Sequence, residues 1–345
     1  MISSIYYNFL GAAPNWYKNT IISFLIVNPI IYILFDAMSL PAGFILGWII
    51  LGEFIFTLAM AIKCYPLQPG GLIALESILM GLTNTGQIYY EVEANLKVIL
   101  LLVFMVAGIY FMKDFLLYIF TKLLINIKNK RLLCLLFVFA AAFLSAFLDA
   151  LTVMAVLIAV AAGFYQVYKS VASKEESFSE NSEEFQTFKG FLRNLLMHGA
   201  VGTALGGVAT TVGEPQNLLI ASVADWSFIE FFLKMLPISF PVFIAGLITC
   251  YVVERFSLFS FGVQLPSHIR QILYDFDKQE SLERTNSQNM KIVTQAIVAL
   301  VLVFSLAFGL AAVGLIGLMI IVLLTAFNGV IEEPKLGKAF EEALP

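Results

Sequence analysis

Asp149 is the residue of this sequence whose setting most clearly suggests chemistry. It lies at the centre of a long apolar stretch, Leu132–Tyr168, between Ser145 and Thr152. A carboxylate at membrane depth costs about 2.5–3.5 kcal/mol on insertion scales, so such residues are usually kept for function. Asp149 is therefore a candidate cation or proton site, with Ser145 and Thr152 as neutral oxygen ligands. The alternative is that Asp149 belongs to a loop at the membrane surface.

A second polar cluster lies inside the apolar stretch Gly199–Leu219, which is rich in glycine and threonine. Pro215 lacks a backbone N–H group and disfavours helical geometry at Glu214. Pairs of glycines loosen a helix further. The sequence therefore predicts a helix that is broken within the membrane, with Gly206, Gly207, Gly213 and Pro215 as the residues of the break.

Broken helices in transporters free backbone carbonyl groups that bind Na⁺. The polar side chains near this break extend the candidate ion- and proton-binding set to Thr210, Thr211, Glu214 and Asn217. We expect Asp149 and Asn217 to be the Na⁺ ligands, and Glu214 to be a second proton carrier or a structural partner. Two alternatives remain open: Gly202 and Gly206 have a spacing typical of close helix packing, and Glu214–Asn217 could form a turn outside the membrane.

Other titratable residues carry weaker signals. Glu53 and Glu76 lie within apolar runs and could join a proton relay or form hydrogen bonds inside the helix bundle. His198 is more simply explained as a packed residue. The sequence contains no phosphate-binding GxxxxGK[ST] motif, HExxH motif or GxSxG motif. We therefore expect neither an enzyme nor a cofactor, and no partnership with nucleic acid.

The elements that position these residues must be membrane helices. Of the 345 residues, 60% are apolar and only 13% are charged, and the mean hydropathy is +0.90. A soluble globule of this length cannot bury so much apolar surface. Segments long enough to cross a bilayer divide the chain into N-terminal transmembrane helices (1–130), a hairpin (131–170), a polar cytoplasmic loop (171–190), a broken helix with the following span (191–256), a second cytoplasmic loop (257–291) and a final segment (292–345).

The basic residues indicate how the hairpin enters the membrane. Lys128, Lys130 and Arg131 precede the stretch around Asp149, and Lys169 follows it. Since cytoplasmic loops carry an excess of lysine and arginine, both ends are expected to face the cytoplasm. Either two full spans or a re-entrant hairpin satisfies this rule. We favour the hairpin, which places Asp149 near mid-membrane.

Long segments of the chain resemble one known family. FLSAFLDALTV around Asp149, followed by MHGAVGTALGGVATTVGEPQNLLIA, closely resembles the NhaB-type bacterial sodium/proton antiporters. The resemblance continues through NWYKNTIISFLIVNP, LGEFIFTLAMAIKCYPLQPGG, LLVFMVAGIYFMKDFLLYIFTKLL, VGLIGLMIIVLLTAFNGV and GKAFEEALP. It implies an all-α polytopic membrane protein with the inverted-repeat fold of the ion transporter superfamily, in which each repeat has a re-entrant hairpin and a broken helix.

The resemblance also implies a function. It predicts secondary active exchange of Na⁺ for H⁺ across the bacterial inner membrane by alternating access, with Asp149 as the principal carboxylate. Members of the family continue past the point that corresponds to Pro345, so the second repeat is expected to be incomplete. We therefore expect a partial carrier that needs a missing C-terminal half or a partner, including a homodimer. The alternatives are a non-transporting membrane fragment or scaffold, and a sodium-coupled carboxylate carrier.

Overall fold

The computed structural model describes residues 2–148, 150–172 and 182–343, so Asp149 lies outside the described residues. Within these ranges the protein is built from helices and contains no β-strand. The chain divides into two compact units, Met1–Ala94 and Asn95–Pro345.

The first unit packs three long helices against one another. Its helices are α1 (Ile2–Asn8), α2 (Asn15–Ala37), α3 (Ala42–Ala59), α4 (Leu67–Leu79) and α5 (Thr85–Ala94). Helices α2, α3 and α4 contact each other in every pairing. Their outer faces are apolar and exposed at residues such as Ile30, Ile33, Ile55 and Leu58, as expected of helices whose solvent is lipid.

The second unit contains the polar segments singled out above. Its helices are α6 (Leu96–Leu100), α7 (Val106–Tyr110), α8 (Lys113–Asn126), α9 (Lys130–Ser145), α10 (Ala150–Ala172), α11 (Glu183–Gly207), α12 (Pro215–Ala224), α13 (Phe228–Arg255), α14 (Ser267–Glu283), α15 (Asn286–Ala307), α16 (Val313–Asn328) and α17 (Glu333–Ala343). A π-helical turn, Leu101–Met105, joins α6 to α7.

Helix lengths support a membrane protein. In the described part of the chain, the helices long and apolar enough to cross a bilayer are Asn15–Ala37, Ala42–Ala59, Ala150–Val171, Phe228–Arg255 and Asn286–Ala307. Helix α16 is apolar but shorter. The expected fold class, an all-α polytopic membrane protein, is confirmed.

Helices α9 and α11 run side by side in the same direction. Gly202 lies against Val138, and Gly206, one helical turn further on, lies against Ala142. From the first contact to the second, the residue number rises by four on both helices, so the helices are parallel. Small residues permit this close approach because they carry almost no side chain to separate the backbones.

Helix α10 runs in the opposite direction to α11. Its C-terminal Tyr168 stacks on Phe185 near the start of α11, with ring centroids 5.7 Å apart. Its middle, at Leu157, meets Gly199 in the second half of α11. Because α9 is parallel to α11, α9 and α10 are antiparallel and form a helical hairpin.

Helix α13 runs antiparallel to α9 and is much longer. An ion pair of 2.9 Å joins Lys130, at the start of α9, to Glu254, at the end of α13. Helix α9 has 16 residues and α13 has 28, so their lengths are about 24 Å and 42 Å. Phe147, just beyond α9, reaches Phe228 at the start of α13, with ring centroids 6.4 Å apart.

Two predicted polar loops contain helix. The first was expected to extend to residue 190, but α11 already begins at Glu183, and Ser182 caps it by accepting a hydrogen bond from the N–H of Phe185. Phe185 and Phe188 are fully buried, and both rings pack on Tyr168. Packing of these two aromatic residues against α10 explains why the acidic composition around them does not prevent a helix.

The second loop, 257–291, contains the whole of α14. Ile269 and Leu273 lie one turn apart on this helix and are buried. The guanidinium group of Arg270 donates a hydrogen bond to the carbonyl oxygen of Ile127 at 3.3 Å. Burial lowers the pKa of Arg270 below its usual value. Tertiary contacts therefore hold the apolar face of α14 in place, although most residues of this helix are polar.

Candidate ion-binding site

The tip of the hairpin lies between Ser145 and Ala150. Ser145 ends α9 and is fully buried, and Leu148 is also buried. Thr152 lies half-buried in the first turn of α10. Asp149 itself, the principal candidate, belongs to this connection but lies outside the described residues.

The helix break predicted from the sequence lies between α11 and α12. Helix α11 ends at Gly207, and α12 begins at Pro215. Glu214 has extended backbone geometry, with φ −145° and ψ 139°, as expected of a residue before proline. Proline is well suited to the first position of a helix because no N–H group is needed there.

Hydrogen bonds join the end of the first hairpin arm to the last turns of α11 and to the break. The hydroxyl of Ser145 donates to the carbonyl oxygen of Thr203 at 2.8 Å. The hydroxyl of Thr210 donates to the carbonyl oxygen of Ala146 and accepts from the N–H of Gly213 at 3.2 Å. Ser145 and Thr210, two candidate ligands 65 positions apart in sequence, therefore both belong to the contact between the tip and the break.

Asn217 ties the two sides of the break together. Its side-chain N–H₂ group donates to the carbonyl oxygens of Gly207 at 2.9 Å and of Thr210 at 2.8 Å. Gly207 is the last residue of α11 and Thr210 lies in the break, so no continuing helix supplies a donor to either carbonyl group. In this conformation the amide nitrogen of Asn217 is committed to the backbone, and only its side-chain oxygen could contact a cation.

Two of the predicted break glycines, Gly206 in the last turn of α11 and Gly213 in the break, lie where no larger residue fits. A Cβ atom on Gly213 would stand 2.7 Å from the carbonyl oxygen of Ser145. A Cβ atom on Gly206 would overlap the carbonyl group of Ala142. The side chain of Glu214 lies against Gly207, at 3.1 Å from the position of a Cβ atom there. The break and the hairpin are thus in backbone contact.

Thr211 and Glu214 differ in their surroundings. The hydroxyl of Thr211 is buried and has no hydrogen-bond partner among the described residues. Buried polar atoms are normally paired, so this oxygen remains available to a ligand. Glu214 is half-buried and accepts a hydrogen bond from the side chain of Gln216.

Sequence reasoning missed a buried ionic cluster at the base of the hairpin. One carboxylate oxygen of Glu254 lies 2.9 Å from Nε2 of His198 and 3.5 Å from Sγ of Cys134. The other lies 2.9 Å from Nζ of Lys130, an ionic contact outside hydrogen-bond geometry, and accepts from the N–H of Gly262 at 3.1 Å. The signal in the sequence was the spacing of Lys130 and Cys134, four residues apart on one helical face.

The cluster resembles a metal site in composition but not in charge. Cys134, His198 and Glu254 place their ligand atoms within 4.8 Å of one another. The Lys130 ammonium group, however, already neutralises Glu254 and would repel a metal cation at the same position. We therefore interpret the cluster as an ionic tie between α9, α11 and α13.

The fold defines the class of this protein: a polytopic α-helical membrane protein with a hairpin and a broken helix. Comparison with known proteins agrees with this class. The family model described as Bacterial Na⁺/H⁺ antiporter B (NhaB) matches residues 1–345. The chain belongs to this family.

Several similar proteins have the name Na⁺/H⁺ antiporter NhaB. The protein of Saccharophagus degradans is 58% identical over 100% of this chain and 70% of its own length. The protein of Teredinibacter turnerae is 57% identical over 98% of this chain and 68% of its own length. That of Marinomonas sp. is 57% identical over 98% of this chain and 69% of its own length.

Proposed function

We propose that this protein exchanges Na⁺ for H⁺ across the bacterial inner membrane by alternating access. The observation that supports this function best is the buried contact between the hairpin tip and the helix break. Ser145 and Thr210 make this contact, and Asp149 follows Ser145 by four positions in the sequence. Broken backbone beside an intramembrane carboxylate is the arrangement that secondary transporters use for ions.

The proposed chemistry is competition for one carboxylate. Ionised Asp149 attracts Na⁺, and the buried hydroxyl of Thr211 supplies a neutral oxygen without a competing hydrogen bond in the described structure. Protonation of Asp149 removes the charge that holds the cation. Asn217 would bind through its side-chain oxygen, whereas Ser145 and Thr210 would act as ligands after exchanging their present backbone partners. Thr152 and Glu214 complete the proposed set.

The two arms of the hairpin differ in length: α10 is long enough to cross the bilayer, but α9 is not, and the length of α9 favours a re-entrant hairpin. At about 24 Å, this helix is shorter than the roughly 30 Å hydrocarbon core. The antiparallel packing of α9 and α10 returns the chain to the side on which it entered. Lys130 and Lys169 then flank one end of the hairpin, as the positive-inside rule requires of a cytoplasmic face.

Two other functions receive less support. A sodium-coupled carboxylate carrier would have to place an anionic substrate beside Asp149, where like charges repel. A non-transporting scaffold needs no intramembrane carboxylate. The NhaB family match and the names of the similar proteins also favour exchange of Na⁺ for H⁺.

The test is Na⁺-driven proton movement in everted membrane vesicles from cells that lack other sodium/proton antiporters. Asp149→Asn keeps the size of the side chain and removes its charge, so we expect loss of the fluorescence recovery that Na⁺ causes with a pH-gradient dye. Glu93→Gln changes an exposed glutamate and is the matched control. Wild-type flux in Asp149→Asn would contradict the proposed site.

A further inference from the structure

Three helices of the first unit bring two carboxyl groups and one amide together. The side-chain N–H₂ group of Asn28, on α2, donates to Oε2 of Glu53, on α3, and to Oε2 of Glu76, on α4, each at 2.9 Å. Asn28 is fully buried, and Glu53 and Glu76 are 7% and 8% exposed. One amide group therefore bridges two buried carboxyl groups.

The position of this trio along the helices places it deep in the membrane. Asn28 lies nine residues before the end of α2, and Glu53 lies eleven residues after the start of α3. At a rise of 1.5 Å per residue, these distances are about 14 Å and 17 Å from the turn that joins the two helices. The hydrocarbon core is about 30 Å thick, so both residues lie near its centre.

No positively charged side chain of the three helices pairs with the two carboxyl groups. Helices α3 and α4 contain no charged residue besides Glu53 and Glu76. On α2, Lys18 precedes Asn28 by ten residues, Tyr32 follows it by four and Asp36 follows it by eight. Among the described residues, neither glutamate takes part in an ion pair.

Asn28 also carries an unused hydrogen-bond acceptor. Its side-chain oxygen Oδ1 is buried and has no donor among the described residues. Oδ1 belongs to the same amide group as Nδ2, the atom that contacts both carboxyl groups. A carboxyl O–H group would be the donor that this oxygen lacks. Buried oxygens without a donor are uncommon in folded proteins.

We propose that Glu53, Glu76 and Asn28 form a proton-binding site that holds one proton between the two carboxyl groups at neutral pH. Two ionised carboxylates around one neutral amide would repel each other in a medium of low dielectric constant. A single proton halves the buried charge and gives the pair an O–H donor. This site is separate in sequence from the hairpin and the helix break, and it goes beyond the exchange proposed for Asp149.

A proton fits this site better than a sodium ion does. The N–H₂ group of Asn28 points its hydrogens at one oxygen of each carboxyl group, and hydrogen-bond donors do not bind cations. The neutral oxygen that the trio offers is Oδ1 of Asn28. Sodium would need several of the remaining oxygens, Oδ1 of Asn28 and the second oxygen of each carboxyl group, to converge on it, whereas a proton needs one donor oxygen and one acceptor.

Dicyclohexylcarbodiimide tests the assignment directly, because this apolar reagent reacts with protonated carboxyl groups within membranes. The purified full chain in proteoliposomes is treated over a pH series, and the stable N-acylurea product is located by peptide mass spectrometry. We expect modification of Glu53 or Glu76 at pH 7 that declines as the pH rises. The exposed residues Glu91 and Glu93 serve as internal controls and should remain unmodified.

Three results would overturn the proposal. The first is the absence of modification at both Glu53 and Glu76 at pH 7. The second is modification at these residues that does not change with pH. The third is protection by Na⁺ at constant pH, which would make the trio a cation site.

Two variants test the bridge itself. Glu76→Gln removes the repulsion between the carboxyl groups, so the midpoint of Glu53 modification should fall. Asn28→Leu removes the N–H donors that stabilise the ionised form, so the midpoint should rise. Glu93→Gln should leave it unchanged. Unshifted midpoints in both folded variants would refute the proposed coupling, and the wild-type measurement remains decisive if either variant fails to fold.

Discussion

At the scale of single residues, the structure shows which polar atoms of the candidate site are engaged. Thr210 and Asn217 are bound to the backbone of the tip and of the break, whereas the hydroxyl of Thr211 has no partner in the described ranges. Thr210 and Asn217 therefore hold the site together, and Thr211 is the neutral oxygen most accessible to an ion.

The role of Asn217 can be tested by its removal. Asn217→Leu leaves the buried carbonyl groups of Gly207 and Thr210 without their donor, which costs about 1–3 kcal/mol for each unsatisfied group. We expect a lower free energy of unfolding in detergent, measured by denaturant titration followed by circular dichroism. The neighbouring Gln216→Leu, at an exposed position, is the control. Equal stability of the two variants would refute the structural role.

The ionic cluster yields a second prediction at this scale. Glu254→Gln leaves the buried Lys130 ammonium group without its counter-charge, and breaking a buried pair in this way costs about 3–5 kcal/mol. The exposed pair of Glu332 and Lys335 offers a control, because Glu332→Gln should change stability by less than about 1 kcal/mol. The free energies of unfolding of the two variants are compared by the same denaturant titration. Similar decreases in both would argue that the cluster does not stabilise the packing of α9, α11 and α13.

At the scale of elements, the pairing of α9 with α11 determines the site. The contacts of Gly202 and Gly206 keep the two helices in step, so the end of α9 lies level with the end of α11. The tip and the break face each other as a result. A seam of glycines against backbone carbonyl groups is intolerant of added volume.

Gly206→Ala tests this seam. The added methyl group overlaps the carbonyl group of Ala142, and overpacking of this kind typically costs about 1–3 kcal/mol. We expect a lower thermal midpoint and reduced Na⁺-driven proton flux. Gly163→Ala, on α10, is matched to it because the new methyl group meets no atom within 4 Å; alanine should stabilise that helix slightly. If the thermal midpoint of Gly206→Ala were as high as that of Gly163→Ala, helices α9 and α11 could shift to accept the added methyl group.

At the scale of the whole molecule, the proposed competition of Na⁺ and H⁺ for Asp149 predicts the response to pH. Protonated Asp149 cannot hold Na⁺, so below the pH at which Asp149 ionises the apparent affinity for Na⁺ should fall about tenfold for each unit of pH. Above that pH the affinity should level off. Concentration series of Na⁺ in everted vesicles at several pH values measure this dependence, and an affinity independent of pH would exclude a shared carboxylate.

Much of this architecture follows from the sequence. Apolar length predicted the spans, and Pro215 with its preceding glycines predicted the interruption between α11 and α12. Helix α14 escaped prediction because its buried Ile269 and Leu273 are few among polar residues. The meeting of Glu53 with Glu76 also could not be read from the sequence, since it depends on how separate helices rotate about their axes.

The glycine seam has a consequence for solvent access. Backbone atoms of α9 and α11 approach so closely at Gly202 and Gly206 that not even a methyl group fits between them. A gap of that size admits neither water nor a hydrated ion. The side of the hairpin that faces α11 is therefore sealed along these turns, and an ion can reach the tip only along another face.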